Sequence, residues 1–115
     1  MKQLLALLKL HIDMYVQKMY DYFMKYEWNP DKNEWLKKER HISFEKIVFH
    51  IMQGDIWKES VHPNQNLYLG QRVYFVNIDG YIYLIPHVIE EDYILLKTVI
   101  PNRKATKAFR SEGSK

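Results

Sequence analysis

The period of the hydrophobic pattern changes at Gly54, and this change constrains the fold more than any other feature of the sequence. Before Gly54, apolar residues recur at spacings of three and four, which is typical of helices. After it, apolar and polar residues alternate, which is typical of half-buried strands. Helices followed by an antiparallel meander of about four strands predict an α+β domain. The 115 residues are enough for one such domain.

Three helices are predicted in the first half of the chain. They cover residues 3 to about 23, Pro30 to about Arg40, and Phe44 to Met52. The first has heptad-like apolar spacing and contains no glycine or proline. Asn29 and Ser43 are suitable N-caps for the other two, and Gly54 is a suitable residue after the last one. The N-terminal helices should pack their apolar faces on the sheet, although the first could instead bind a partner or a second copy of the chain.

Four strands are predicted in the second half. They cover Ile56 to Val61, Arg72 to Ile78, Tyr81 to Ile89 and Tyr93 to Ile100. Asp79 and Gly80 predict a type I′ hairpin turn between the second and third strands. Pro86 predicts a bulge or a sheet edge, because proline cannot donate to a strand ladder. A short helix from Arg103 to Phe109 and a frayed tail over 110–115 complete the pattern.

The leucine-rich start of the chain is too short to span a membrane. Lys9 interrupts the apolar run, whereas a span needs roughly 20 apolar residues. A secretory signal would need a longer apolar core and a small-residue cleavage site. The absence of cysteine fits a reducing compartment. We therefore expect a soluble, cytoplasmic protein with no membrane partner.

Known cofactor and metal motifs are missing from the sequence. Its four glycines form neither a dinucleotide-binding loop nor a P-loop, and its five histidines follow no metal-ligand spacing. We therefore predict neither a cofactor nor a metal site. Any catalysis would depend on acid–base groups of the chain itself.

Basic and histidine side chains around the predicted sheet are the remaining candidates for chemistry. They are His62, Arg72, His87, Lys97, Arg103, Lys104 and Lys107. Metal-free RNA cleavage needs a base for the ribose 2′-hydroxyl, an acid for the leaving 5′-oxygen and a cation for the charged phosphorane. The alternative is structural: Arg72 and Lys97 would be solvated, His62 bonded to loop backbone, and His87 a tolerated strand residue.

Three segments, in this order, resemble the BrnT-type toxin family. The first is Tyr26 to Asn33, YEWNPDKN, which resembles that family's opening "EWDPxK". The second is Ile42 to Ile47, ISFEKI, which resembles "VSFEEA". The third is Val99 to Lys107, VIPNRKATK, which resembles "IISARKATRRE". The resemblance covers about residues 26 to 109.

The resemblance implies a RelE-like α+β fold and a ribonuclease that arrests translation. It also implies a co-encoded antitoxin, often with a ribbon-helix-helix DNA-binding part, and RNA as the substrate. By position, Arg103 and Lys104 match the family's RKAT motif, and Arg103 is the leading candidate. With His62 and Arg72 from the basic and histidine set above, the full catalytic prediction is Arg103, Lys104, His62 and Arg72. The RNA-binding prediction is Lys97, Lys107 and His87.

The chain departs from the family pattern in three places. The segment Val61 to Asn64 has no counterpart in that pattern, so the role of His62 is inferred from the residues alone. His41 stands where the family has glycine. Residues 1–23 form an extension before a toxin-like domain at 24–109, unless Met24 is an alternative start. Two other functions therefore stay open: a non-catalytic RNA- or protein-binding member, and an interaction protein that forms a homodimer or hetero-oligomer through its first helix.

Overall fold

The computed structural model of the protein describes residues 13–18, 21 and 25–113. The elements in chain order are β1 (Tyr26–Glu27), α1 (Pro30–Arg40), α2 (Phe44–Met52), β2 (Ile56–Val61), β3 (Gln71–Ile78), β4 (Tyr81–Ile89), β5 (Ile94–Leu96), β6 (Ile100–Pro101) and α3 (Arg103–Gly113). Residues 13–18 and 21 are helical and exposed, and the rest of the predicted first helix lies outside the described residues. No helix within the described ranges is long and apolar enough to cross a membrane.

The α+β prediction is confirmed, with a sheet that is more mixed than the meander alone. The six strands have the order β1-β5-β4-β3-β2, and β6 pairs with β4 beyond the end of β5. Strands β2 to β5 pair antiparallel, as predicted. The short β1 adds to β5 in parallel, with Tyr26 beside Ile94. The predicted fourth strand is divided into β5 and β6.

The β3–β4 hairpin has the predicted two-residue turn. Asp79 and Gly80 both adopt positive φ, at 53° and 84°, which a type I′ turn requires. Ile78 pairs directly with Tyr81, and the register continues without a shift to Gln71 and Val88. Because side chains alternate between faces, this register decides which residues of the two strands meet on each face.

The irregularity expected at Pro86 is found elsewhere. Pro86 lies in an interior strand, and the β3–β4 register passes it unbroken. Its carbonyl accepts the Lys97 N–H at 2.8 Å, in the gap between β5 and β6. Since the N–H and C=O of a strand residue point to the same side, the missing N–H of Pro86 faces this interrupted ladder. The register shift in the sheet occurs in β2, between Ile56 and Lys58.

Helices α1 and α2 cover one face of the sheet and form the main core with it. The buried apolar residues of this core include Phe44, Ile47, Val48, Ile51, Tyr74, Val76, Ile78, Ile85 and Leu96. The buried Asn33 joins the two helices. Its amide nitrogen donates to both carboxylate oxygens of Glu45, and its amide oxygen accepts the Phe44 N–H at 2.8 Å. The amide nitrogen and the amide oxygen of this buried side chain are therefore both hydrogen-bonded to α2.

Helix α3 packs on the opposite face. The Thr106 hydroxyl accepts the Ile82 N–H and donates to the Asn102 carbonyl, both at 2.8 Å. The Trp57 ring contacts Phe109 and donates its indole N–H to Glu112 at 3.1 Å. These contacts extend α3 to Gly113, so the frayed tail predicted from residue 110 is wrong for residues 110–113.

His41 occupies a left-handed position at the end of α1. Its φ is 55°, and its N–H donates to the Leu36 carbonyl, which closes the helix. Glycine is the usual residue at such a position because it carries no Cβ. The departure from the toxin pattern at His41 therefore falls on a residue whose backbone conformation favours glycine.

Replacing Gly80 by alanine should destabilise the fold by about 1–2 kcal/mol, because an L-residue is strained in the left-handed conformation. Urea denaturation measures the loss. Gly113→Ala is the matched control, since this glycine lies at the end of α3 with no atom close to an added Cβ. Equal effects of the two substitutions would contradict a special role of the turn.

Candidate functional site

The predicted site residues fall into two groups on opposite faces of the sheet. One group lies on α3, which contacts β4 at Ile82. The other includes His87, five positions further along the same strand. An odd number of positions reverses the face, and five correspond to about 17 Å along the strand. The predicted residues therefore do not form a single compact site.

The α3 group presents cations along one exposed side of the helix. Arg103, Lys107 and Arg110 follow a spacing of four and three residues, and with Tyr81 and Thr106 they line a cavity of about 350 Å³. Asn102 begins the helix by accepting the Ala105 N–H at 2.7 Å. The exposed Arg103 therefore lies at the N-terminal end of the helix, where free N–H groups and the positive end of the helix dipole favour a bound anion.

The first turn of α3 contains no acidic residue, although the chain has 14 of them. Arg103 and Lys104 thus add positive charge to the positive end of the helix dipole, which is locally unfavourable. A bound phosphate group would reverse this effect. The cavity-lining side chains include neither a carboxylate nor an imidazole. The α3 group can therefore bind an anion, and it offers no acid–base pair for transferring a proton.

The strand group brings together Glu59, Arg72 and His87 from three adjacent strands. Arg72 pairs with Val61 on one side and with His87 on the other, so all three side chains share the face of the sheet that α1 and α2 cover. The Arg72 Nε donates to Glu59 Oε1 at 2.5 Å. The Glu59 Oε1 also lies 3.5 Å from the His87 Nε2. One carboxylate oxygen thus faces both a guanidinium and an imidazole.

His87 is completely buried, and its ring stacks on Tyr74 with centroids 3.7 Å apart. Its Nδ1 lies 2.9 Å from the Ile85 carbonyl. Since a carbonyl only accepts, Nδ1 carries the proton and the Nε2 of the neutral ring is bare. That Nε2 has no hydrogen-bond partner among the described residues.

Burial lowers the pKa of His87 below its ordinary value, although the Ile85 carbonyl and the Glu59 carboxylate act in the opposite direction. The ring is therefore neutral at neutral pH. The prediction that His87 contacts RNA is wrong, because a completely buried side chain cannot reach a large ligand.

His62 and Lys97 join neither group through a contact. The His62 Nδ1 accepts the Asn64 N–H at 3.1 Å, and its ring lies against Tyr68. This is the loop-bonding alternative that the sequence left open. Lys97 is exposed between β5 and β6, where it lines a separate cavity with Trp28. The catalytic role of His62 and the RNA-binding role of Lys97 stay predictions.

Sequence reasoning missed Glu59. The sequence places Glu59 in a predicted strand with alternating polar and apolar residues. The residues that it contacts on the next strand, however, depend on how β2 pairs with β3 across the loop at 62–70. No rule of turn chemistry fixes the register across a loop of this length. No group of three or more potential metal ligands occurs within the described residues.

Comparisons with protein-family models, with curated proteins and with solved structures found no match to this chain. The resemblance to BrnT-type toxins therefore stays a prediction from the motifs.

Acidification should destabilise the protein through His87. Because burial lowers its pKa, the folded chain binds fewer protons than the unfolded chain below the ordinary histidine pKa of about 6.5. The free energy of unfolding should be unaffected by this group above about pH 6.5 and should decrease as the pH falls below it. Urea denaturation at about pH 7.5 and about pH 5 measures the difference.

His87→Gln should show a smaller decrease than the wild type over this range. The exposed His41 is the matched control, and His41→Asn should retain the full decrease because asparagine tolerates the left-handed position. A decrease that is unchanged in His87→Gln would exclude His87 as its source.

Proposed function

We propose that this chain is a cytoplasmic, metal-independent endoribonuclease of the type II toxin class, with a RelE-like fold. In this proposal it arrests translation and is neutralised by a co-encoded antitoxin. The observation that carries the proposal is the cationic start of α3, where Arg103 and Lys104 lie at a helix N-terminus with no acidic residue in the first turn. The α+β order of elements and the three ordered motifs support it.

RNA is the ligand that best suits the α3 group. Its phosphates would neutralise side chains that have no acidic partner in the first turn. The guanidinium of Arg103 can engage a phosphate through two parallel hydrogen bonds. Tyr81 also lines this cavity, while its ring lies against Tyr83 with centroids 5.5 Å apart. The cationic groups of α3 therefore match the phosphate backbone of a single strand.

A second candidate is a non-catalytic RNA-binding member of the same class. The observation that favours it is the lining of the α3 cavity, which includes cations and a tyrosine but no carboxylate or imidazole. Such a protein would bind RNA and leave it intact. The two candidates are separated by incubating the purified chain with RNA in the presence of a chelator and examining the RNA ends.

The double substitution Arg103→Ala, Lys107→Ala should weaken RNA binding and abolish growth arrest. Each lost phosphate contact should reduce the slope of log K against log salt by about 0.7 for single-stranded RNA. Binding is measured by fluorescence anisotropy over a series of salt concentrations. Growth arrest is measured on induction, with and without the neighbouring gene.

The matched control for this double substitution is Lys38→Ala, Lys46→Ala. It removes the same formal charge from exposed positions on α1 and α2. It should leave both the salt slope and the growth arrest close to those of the wild type. If the control and the α3 variant behave alike, binding depends on net charge and the α3 assignment is wrong. If the wild-type chain neither cleaves RNA nor arrests growth, the toxin proposal is wrong.

A further inference from the structure

We propose that Glu59, Arg72 and His87 form an acid–base centre for RNA cleavage, with Glu59 as the general base and His87 as a buried positioning residue. The inference rests on the proposed ribonuclease function and supplies the chemistry that the α3 cations lack. The substrate class is an RNA phosphodiester with a free 2′-hydroxyl. Glu59 is outside the residues that the motifs indicated, and its role follows from its contacts.

One carboxylate oxygen of Glu59 is hydrogen-bonded to Arg72, and the other is open to solvent. Its Oε1 accepts from the Arg72 Nε and faces the His87 Nε2. Its Oε2 makes no hydrogen bond to the described part of the chain, and the side chain is 32% exposed. A carboxylate that is fixed on one side and open to solvent on the other can approach a ribose hydroxyl.

Arg72 is placed to hold the phosphate beside this carboxylate. Only its Nε is used by Glu59, so its two terminal nitrogens have no partner within the described residues. The side chain is 40% exposed. A planar guanidinium presents these terminal groups as a fork that binds two phosphate oxygens and stabilises charge as it develops there.

The position of His87 is not explained by an ordinary surface ion pair between Glu59 and Arg72. A salt bridge between Glu59 and Arg72 needs no histidine, yet a completely buried ring aims a bare Nε2 at the carboxylate. Leaving a buried acceptor unpaired is unfavourable. The Glu59 Oε1 is the polar atom that faces this nitrogen, so the ring lies on the buried side of the carboxylate and Oε2 is left as the oxygen on the solvent side. The contact therefore positions Glu59 so that Oε2 can reach a substrate.

The chemical step is balanced without any further reagent. Glu59 removes the proton from the 2′-hydroxyl, and the 2′-oxygen forms a bond to phosphorus. The bond from phosphorus to the 5′-oxygen breaks, and that oxygen takes a proton from solvent. The products are a 2′,3′-cyclic phosphate and a free 5′-hydroxyl. Glu59 then returns its proton to solvent, while Arg72 balances the charge of the phosphorane throughout.

The first test is Glu59→Gln in the full chain, assayed under single-turnover conditions with a short RNA and excess protein. The substitution keeps the size of the side chain and an oxygen for Arg72, but removes the base. We expect the cleavage rate to fall by about 10²–10⁴-fold with RNA binding retained. The matched control is Glu90→Gln, an exposed carboxylate after β4, which should cleave at the wild-type rate.

The second test separates positioning by His87 from a merely structural role. His87→Gln should move the low-pH limb of the cleavage rate, whereas a structural defect would lower the amount of folded protein at every pH. If that variant does not fold, the His87 ring is followed by NMR in the wild type and in Glu59→Gln. Removing the carboxylate should lower the pKa of His87, because Glu59 favours the charged ring. An unchanged pKa would overturn the coupling.

The outcomes distinguish this inference from the proposed function. Suppose that Glu59→Gln cleaves RNA at the wild-type rate while the α3 double variant loses RNA binding and growth arrest. That result would overturn the acid–base centre but not the toxin proposal. Cleavage at a 2′-deoxy position, or products without a cyclic phosphate, would also overturn it. A wild-type chain that binds RNA but never cleaves it would overturn both. Loss of cleavage in Glu59→Gln alone, with cyclic phosphate ends, supports both.

Discussion

The two-residue turn at Asp79–Gly80 sets the pairing of β3 and β4, and both the apolar core and the polar cluster follow from that pairing. Its two positive φ angles match the twist of a hairpin and allow only one register between β3 and β4. A slip of one residue would move the buried Tyr74 and Val76 to the opposite face and expose the core. The same register places Arg72 opposite His87. One turn thus specifies both the apolar core and the polar cluster at its end.

The two faces of the sheet carry different kinds of chemistry. On the face covered by α1 and α2, the apolar core ends at Glu59, Arg72 and His87, where partial burial strengthens electrostatic interactions. On the other face, α3 presents exposed cations to solvent, where salt screens them. In the function that we propose, the first arrangement would accept the ribose proton and the second would bind the RNA backbone.

Most of the fold could be predicted because its signals are local. Caps at Asn29 and Ser43, the turn at Gly80 and the change of hydrophobic period each depend on a few neighbouring residues. The predictions that were wrong, or incomplete, involve partners distant in sequence. Pro86 is tolerated in an interior strand because the adjacent ladder is interrupted, and residues 110–113 are helical because Trp57 and Gly80 bind them. Neither partner is visible in a local pattern.

For the candidate site, the residue pattern alone indicates which groups are available: cations after the last strand, histidines near the sheet, and neither cysteine nor a recognisable metal motif. Which of these groups meet depends on strand pairing and helix packing. The tertiary fold buried His87 against Tyr74 and placed Arg103 and Arg72 on opposite faces and near different ends of β4. It also brought Glu59 to Arg72 across 13 positions of the chain. Interactions between charges and the transfer of protons depend on distance and burial, and strand pairing sets both through contacts between residues remote in sequence.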